Sequence, residues 1–238
     1  MSGSFVCMNK SLNETGTLSV VATPIGNMED ITMRALDVLK KCDYILCEDT
    51  RVTGKLLAKH GIKTKMKRYD AHTSNQVHEE IITDLTSGKH LALVSDAGTP
   101  AVSDPGVLLV KGAREAGARV DAVPGPSAVT AAFSIAGISG NQFTFLGFVP
   151  QKKGRKTFFE NILSYEHPVI FFESTHRIVK TLQSLAEVLS NDAQIYVGRE
   201  LTKMHEEMII GTPEEILDQL LNDTVRQKGE FVIIVSRP

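Results

Sequence analysis

LALVSDAGTPAVSDPG, residues 91–106, starts as an unbroken apolar run and continues as a long loop of small residues. Apolar and β-branched side chains over Leu91–Ser95 predict a strand covered on both faces, the habit of parallel sheets. The following twelve residues, Ser95 to Gly106, have no regular period. Loops of that length inside compact domains tend to be functional. Pro105 then opens a predicted helix that runs to Ala116 and stops at Gly117. Strand, open loop and helix is the unit from which an α/β domain is built.

The same unit recurs on both sides. TLSVVAT (17–23) predicts a buried strand bounded by Gly16 and Pro24, and Asp30 is a candidate N-cap for the next helix. Strands at Tyr44–Cys47, Lys65–Tyr69 and Val120–Val123 alternate with helices at Val52–His60, Val77–Thr86 and Ser127–Ala136. The turn-rich segment GISGNQ (137–142) reads as a hinge. Beyond it the pattern predicts strands at Phe143–Phe148, Val169–Phe172, Gln194–Gly198, Glu206–Gly211 and Glu230–Val235, with helices at Arg155–Leu163, Arg177–Leu189 and Pro213–Leu221. The expectation is α/β, in two domains at 16–137 and 142–238. The first sheet should be mostly parallel and the second mixed.

Composition sets limits on function. The 238 residues are 42% hydrophobic and 23% charged, a globular balance that excludes a collagen, a coiled coil or a disordered tail. No apolar run is long enough for a membrane helix. The start, MSGSFVCMNKSLNETG, has no apolar core of a secretion signal. Twenty-six basic against 28 acidic residues exclude a uniformly basic coat but permit a local patch. Cys7, Cys42 and Cys47 make an odd number without a CxxC pair, so a reducing cytoplasm is expected, with Cys42 and Cys47 as small buried hydrophobes. His72, His78, His90, His167 and His205 lack zinc-ligand spacing, so no metal is expected.

Ligands of open α/β sheets sit beyond the carboxyl ends of the strands. Three loops there consist of small or stiff residues: Pro24-Ile25-Gly26-Asn27, Ser95 to Gly106, and Pro124-Gly125-Pro126-Ser127-Ala128. None is GxGxxG and none is a Walker A loop, which disfavours a dinucleotide or a nucleotide triphosphate. Together they suit a flat, mostly neutral cofactor. Each also has a plain structural reading, as a turn or as a helix-capping Asp at Asp104.

ATPIGNMEDIT, CEDTR, LVSDAGTPAVSDPG, PGPSAV, GFVPQKKGR, FFESTHR and RELTK, in that order, resemble the tetrapyrrole methylase superfamily. Within it they are most similar to the 2′-O-ribose methyltransferases of cytidine-1402 in 16S rRNA. The resemblance implies S-adenosylmethionine in an interdomain cleft, a small-ribosomal-subunit RNA substrate and a homodimer. Carried over by motif, the cofactor residues are Pro24 and Ile25, then Ser95, Asp96, Ala97, Val102 and Ser103, then Ser127 and Ala128. Phe172, Glu173, Leu201 and Phe231 are added from the second domain.

Methyl transfer to a ribose hydroxyl requires alignment of three atoms and help with the departing proton. Two polar clusters follow strands: Glu48-Asp49-Thr50-Arg51 and Arg199-Glu200-Leu201-Thr202-Lys203. Glu200, Lys203, Glu48 and Asp49 are the catalytic candidates, and structural ion pairing is the alternative reading of both clusters. Lys152, Lys153, Arg155 and Lys156, joined by His176, Arg177 and Arg51, are candidates for RNA phosphate contact. With no Trp, four Tyr and ten Phe, mostly in strand-like runs, a stacking RNA-recognition sheet is not expected. Two other readings stay open: a methyltransferase acting on a tetrapyrrole-type small molecule, and a non-catalytic RNA-binding assembly protein.

Overall fold

The structure, a computed structural model, describes residues 15–102, 106–190 and 193–236. The N-terminal arm with Cys7, the candidate Ser103 and the candidate cap Asp104 lie outside these residues.

The alternation expected from sequence is present throughout. The first five strands are β1 (Thr17–Val21), β2 (Tyr44–Cys47), β3 (Met66–Arg68), β4 (His90–Leu93) and β5 (Arg119–Val123). Between them run α1 (Met33–Lys41), α2 (Thr50–Lys59), α3 (Asn75–Thr86) and α4 (Gly106–Glu115). They form one sheet in the order β3-β2-β4-β1-β5, with every pair parallel. Chain leaving β1 travels to β2 on one side, and chain leaving the adjacent β4 travels to β5 on the other. The carboxyl ends of β1 and β4 therefore flank a topological switch point. Leu18, Leu46, Leu91 and Leu93 of the sheet meet Ile81, Leu85, Leu109 and Ala113 of α3 and α4 in one core. Burying each such side chain contributes roughly 1.5–3 kcal/mol.

One local expectation is corrected. Asp30 does not cap α1. It lies in a 3-10 turn, Met28–Asp30, whose cap is Asn27. Thr32 caps α1, its Oγ1 accepting the Ala35 N–H at 3.1 Å. The two extra residues lengthen the loop after β1.

The remaining elements are α5 (Ala128–Ile135), β6 (Thr144–Phe148), α6 (Arg155–Ile162), β7 (Val169–Ser174), α7 (Ile178–Val188), β8 (Gln194–Arg199), β9 (Glu207–Gly211), α8 (Pro213–Asn222) and β10 (Glu230–Ser236). Their sheet runs β6-β7-β10-β8-β9. β6 and β7 are parallel, and the other pairs antiparallel, so this sheet is mixed. Its two faces bury different sets. Phe171, Ile195, Val197, Phe231, Ile233 and Val235 pack with α6, α7 and α8, while Ile170, Val232 and Ile234 pack with Val129, Ala132 and Ala136. Side chains alternate across a strand, so β10 feeds both cores in turn.

By internal contact the chain divides after Pro124. Among the described residues, one unit holds 15–22 and Thr32–Pro124, and the other holds Thr23–Ile31 and the chain from Gly125 on. The sequence pattern changes at 137–142 instead, because α5 continues the helix–strand rhythm of the first half. Its apolar face nevertheless packs on Ile170, Val232 and Ile234.

Candidate functional site

In the first unit, the candidates cluster at the carboxyl ends of β2 and β4. Ser95 is buried, and its hydroxyl lies 3.2 Å from the Ala97 carbonyl and 3.4 Å from that of Gly98, closing the loop on itself. Asp96 and Ala97 are exposed on top of that turn, and Val102 is half exposed. Ala101 has φ +64°, uncommon for a residue with a Cβ. Asp96 Oδ1 accepts the Asp49 N–H at 3.1 Å, which ties this loop to CEDTR. Asp49 itself caps α2, accepting the Arg51 N–H at 2.8 Å, and Arg51 Nη2 meets its other oxygen at 2.6 Å. Hydrogen bonds from Arg51 hold the Asp49 carboxyl well below the usual carboxylate range. Such a group is a weak base at neutral pH, and the Arg51 cation beside it is already engaged. Glu48 lies half-buried next to it.

In the second unit, four cofactor candidates meet. Ile25, Ala128, Phe172 and Leu201 belong to one apolar cluster with Val232. Ser127 stands at the N-cap of α5 without a side-chain capping bond. Pro24 adjoins Ile25, half-buried.

Two candidates go elsewhere, which corrects the expectation for their side chains. Phe231 and Glu173 are cross-strand partners, as are Val232 and Phe172. Alternation sends Phe231 into the core under α7 and α8, on the face opposite Phe172. Glu173 is fully buried, and its carboxylate is saturated. Arg177 Nη2 lies at 2.8 Å, Thr181 Oγ1 donates at 2.6 Å, the Ser174 N–H donates at 2.7 Å, and Arg155 Nη1 approaches to 3.5 Å. Val232, next to Phe231 on β10, faces the cluster that holds Ile25, and a one-position offset explains why the sequence picked its neighbour.

Arg155 is also corrected. It is not a solvated member of the basic run, since its Nη2 donates to Thr181 Oγ1 at 2.7 Å and its guanidinium lies 5.1 Å from the Phe159 ring centroid. Lys152, Lys153 and His176 are exposed, as is Lys156 beside Glu160 at 3.7 Å.

The RELTK loop after β8 is tightly constrained. Glu200 has φ +50° and Thr202 φ +64°. With Ala101, these are the positive-φ residues other than glycine among those described, and all three lie in loops singled out from sequence. Lys203 Nζ sits 2.8 Å from Glu200 Oε1 and 3.0 Å from Glu230 Oε2. The Glu230 N–H donates a second bond to Glu200 Oε1 at 2.9 Å. Burial pushes the Glu200 carboxyl up, but the bonds from Lys203 and the Glu230 N–H outweigh it, and the net direction is down. Burial likewise works against the Lys203 cation, yet its two carboxylate partners raise its pKa overall. Arg199 makes no hydrogen bond to this pair: its guanidinium donates to the carbonyls of Lys228, His205 and Val225.

Sequence reading missed what holds this loop. Asn27 N–H donates to Thr202 Oγ1 at 3.0 Å, and Gly26 packs flat against Leu201, Thr202 and Lys203. Gly229, at φ +121°, leaves room for the Glu200 side chain.

The model of the tetrapyrrole (corrin/porphyrin) methylases matches residues 17–217. The chain belongs to this family. Among relatives of the methylase, a protein of Xylella fastidiosa (strain Temecula1) named Ribosomal RNA small subunit methyltransferase I is 47% identical over 226 residues, covering 94% of this chain and 83% of the relative. One of the same name from Thermotoga maritima is 40% identical over 221 residues, covering 93% of this chain and 98% of the relative. Among solved structures, a cobalt precorrin-4 methyltransferase aligns with TM-score 0.68 at 18% identity, over 92% of this chain and 94% of that one. A diphthine synthase aligns with TM-score 0.72 at 14% identity, over 93% and 90%. At those identities the structural likeness speaks for the fold.

Proposed function

We propose that this methylase uses S-adenosylmethionine to methylate the ribose 2′-oxygen of cytidine-1402 in 16S rRNA. The observation that carries the proposal is the 40–47% identity, over nearly the whole chain, to proteins named Ribosomal RNA small subunit methyltransferase I. The resemblance carried by the quoted motifs implies the nucleotide and the atom.

The apolar cluster of Ile25, Ala128, Phe172, Leu201 and Val232 fits a flat, uncharged ring system. When bound, S-adenosylmethionine supplies an electrophilic methyl group on a sulfonium, so the chain needs to align the acceptor oxygen and manage its proton. Lys203 is the group we assign to the oxygen's developing negative charge. Glu200 keeps that lysine protonated and in place, as a positioning residue. Asp49 and Glu200, both held below the usual carboxylate range, are poor bases in the free protein. Lys152, Lys153, Lys156 and His176 supply the phosphate contacts. The reading as a homodimer in the cytoplasm is part of the same proposal.

The test is calorimetric titration with S-adenosylmethionine, followed by transfer from tritiated cofactor to 30S particles and to free 16S rRNA. Binding with label in RNA supports the proposal. Binding without label in either RNA contradicts it and favours a small-molecule acceptor, and absence of cofactor binding favours a non-catalytic RNA-binding protein.

A further inference from the structure

Phe148 ends β6 with 56% of its surface exposed, although the strand before it is half-buried. The backbone accounts for this. Phe145 pairs with Ile170 and Phe148 with Phe172, so β6 carries one more residue than β7 between the two pairs. Gly147, at φ +70°, lies within this bulge. Bulges bend a strand and re-aim its side chains, and glycine takes that φ at no steric cost.

The exposed ring is held firmly. Phe172 meets it edge to face at 5.2 Å between centroids, and Phe145 meets Phe172 in the same way at 5.0 Å. The next residue is tied down on both sides: Val149 N–H donates to the Phe172 carbonyl at 3.3 Å, and Arg177 Nη1 donates to the Val149 carbonyl at 3.0 Å. Arg177 is in turn anchored on buried Glu173, which Arg155 at the start of α6 also approaches. One carboxylate thus fixes the end of β6, the start of α6 and the Ser174–Arg177 turn. Exposed Lys152 and Lys153, which form no ion pair among the described residues, follow Phe148 within five positions, and exposed His176 lies in the turn.

A rigid aromatic face beside unpaired cations has the chemistry of a single-strand RNA platform. Bases stack on the ring while lysines meet the backbone. A base inside a duplex presents no open face. We propose that Phe148 is a stacking platform for an unpaired nucleobase of the RNA substrate. The proposal rests on the reading of this chain as an RNA-modifying enzyme and adds that the strand is engaged with a base unstacked.

The protein contains no Trp, so Phe148→Trp introduces a single tryptophan, whose emission can be excited apart from that of the four Tyr. The probe is a labelled single-stranded oligoribonucleotide with the sequence around cytidine-1402, compared with the same strand in a duplex. We expect Phe148→Ala to weaken single-strand binding about 5- to 150-fold with an unchanged salt slope. Phe148→Trp should keep the affinity, and its emission should be quenched by the strand and not by the duplex. Thermal melts check that both variants are folded. Native affinity in Phe148→Ala, or an unquenched tryptophan in a bound complex, overturns the stacking role and leaves the RNA reading intact. A wild-type protein that binds neither RNA overturns both.

Discussion

Gly26 lies so close to Lys203 that a Cβ built on it would stand 2.5 Å from the lysine Cγ, 2.7 Å from Thr202 Oγ1 and 2.9 Å from the Leu201 carbonyl oxygen. The loop after β1 and the loop after β8 are thereby pressed together, and Asn27 bonds across them. The only cation placed between Glu200 and Glu230 among the described residues thus takes its position from a glycine some 180 residues earlier in the chain.

Gly26→Ala should therefore displace the RELTK loop. The Leu201 carbonyl is backbone and has little room to yield, so an overpacking cost of about 1–3 kcal/mol is expected. Denaturant unfolding measures the stability loss, and single-turnover methylation should fall with it. Native stability and rate in Gly26→Ala would mean that the two loops are not tightly packed.

Lys203→Ala should lower the single-turnover rate by about 10²–10⁴-fold, the range for a group acting on a transferred proton or its charge, with little change in cofactor affinity. Glu200→Gln should lower it less, because Glu230 still holds the lysine. The pH profile separates the roles. Glu200 ionises below its usual 4.5 and Lys203 deprotonates above its usual 10.5, so the pair keeps one protonation state from about pH 6 to 9. A wild-type rate that is flat over this range fits a lysine cation. A sigmoid rise centred near pH 7 in wild type that vanishes in Glu200→Gln would make Glu200 a base instead.

The basic segment should divide by burial. Changing Lys152, Lys153 and Lys156 to Ala should flatten the salt dependence of RNA binding, by roughly 0.7–0.9 in log–log slope per lost phosphate contact, with stability unchanged. Arg155→Ala should do the reverse. It removes a buried guanidinium from Thr181 and the Phe159 ring while Arg177 still pairs with Glu173, at a cost of about 1–3 kcal/mol in urea unfolding. Equal stability in all these variants would refute the division.

Asp84 offers a stability test away from the chemistry. Burial works against its charge, but Lys89 Nζ at 2.7 Å and the Tyr44 hydroxyl at 2.8 Å outweigh that and lower its pKa below 3.8. A carboxyl lowered in the folded state adds stability above its unfolded pKa and loses it as pH falls through the folded one. Asp84→Asn should thus be less stable than wild type at pH 7, and the gap should close below about pH 4. A gap that persists in acid would point to lost shape rather than lost charge.

Element order was legible because the chain marks it with local signals. Apolar runs at Leu18–Val21 and Leu91–Val94 made strands buried on both faces, and Gly61, Gly88 and Gly117 lie just beyond helix ends at positive φ. The loops that carry the candidate residues were legible as motifs. Side-chain direction was not, since choosing Phe231 or Val232 requires knowing which face of β10 meets α5. Arg155 could not be told from its neighbours for a similar reason: only the fold brings Thr181 and Glu173 to it. The Gly26–Lys203 contact has no trace in local sequence at all.

The central claim is that the 2′-oxygen of one ribosomal ribose is the acceptor. A 2′-O-methyl group removes the nucleophile that cleaves RNA in alkali. The decisive measurement is an alkaline-hydrolysis ladder of unmethylated 16S rRNA, taken from 30S particles after incubation with the protein and S-adenosylmethionine. The account predicts a single new gap at cytidine-1402, absent without cofactor and strongly reduced with Lys203→Ala. An uninterrupted ladder at that position, with methyl label recovered on a base or outside the RNA, would contradict it.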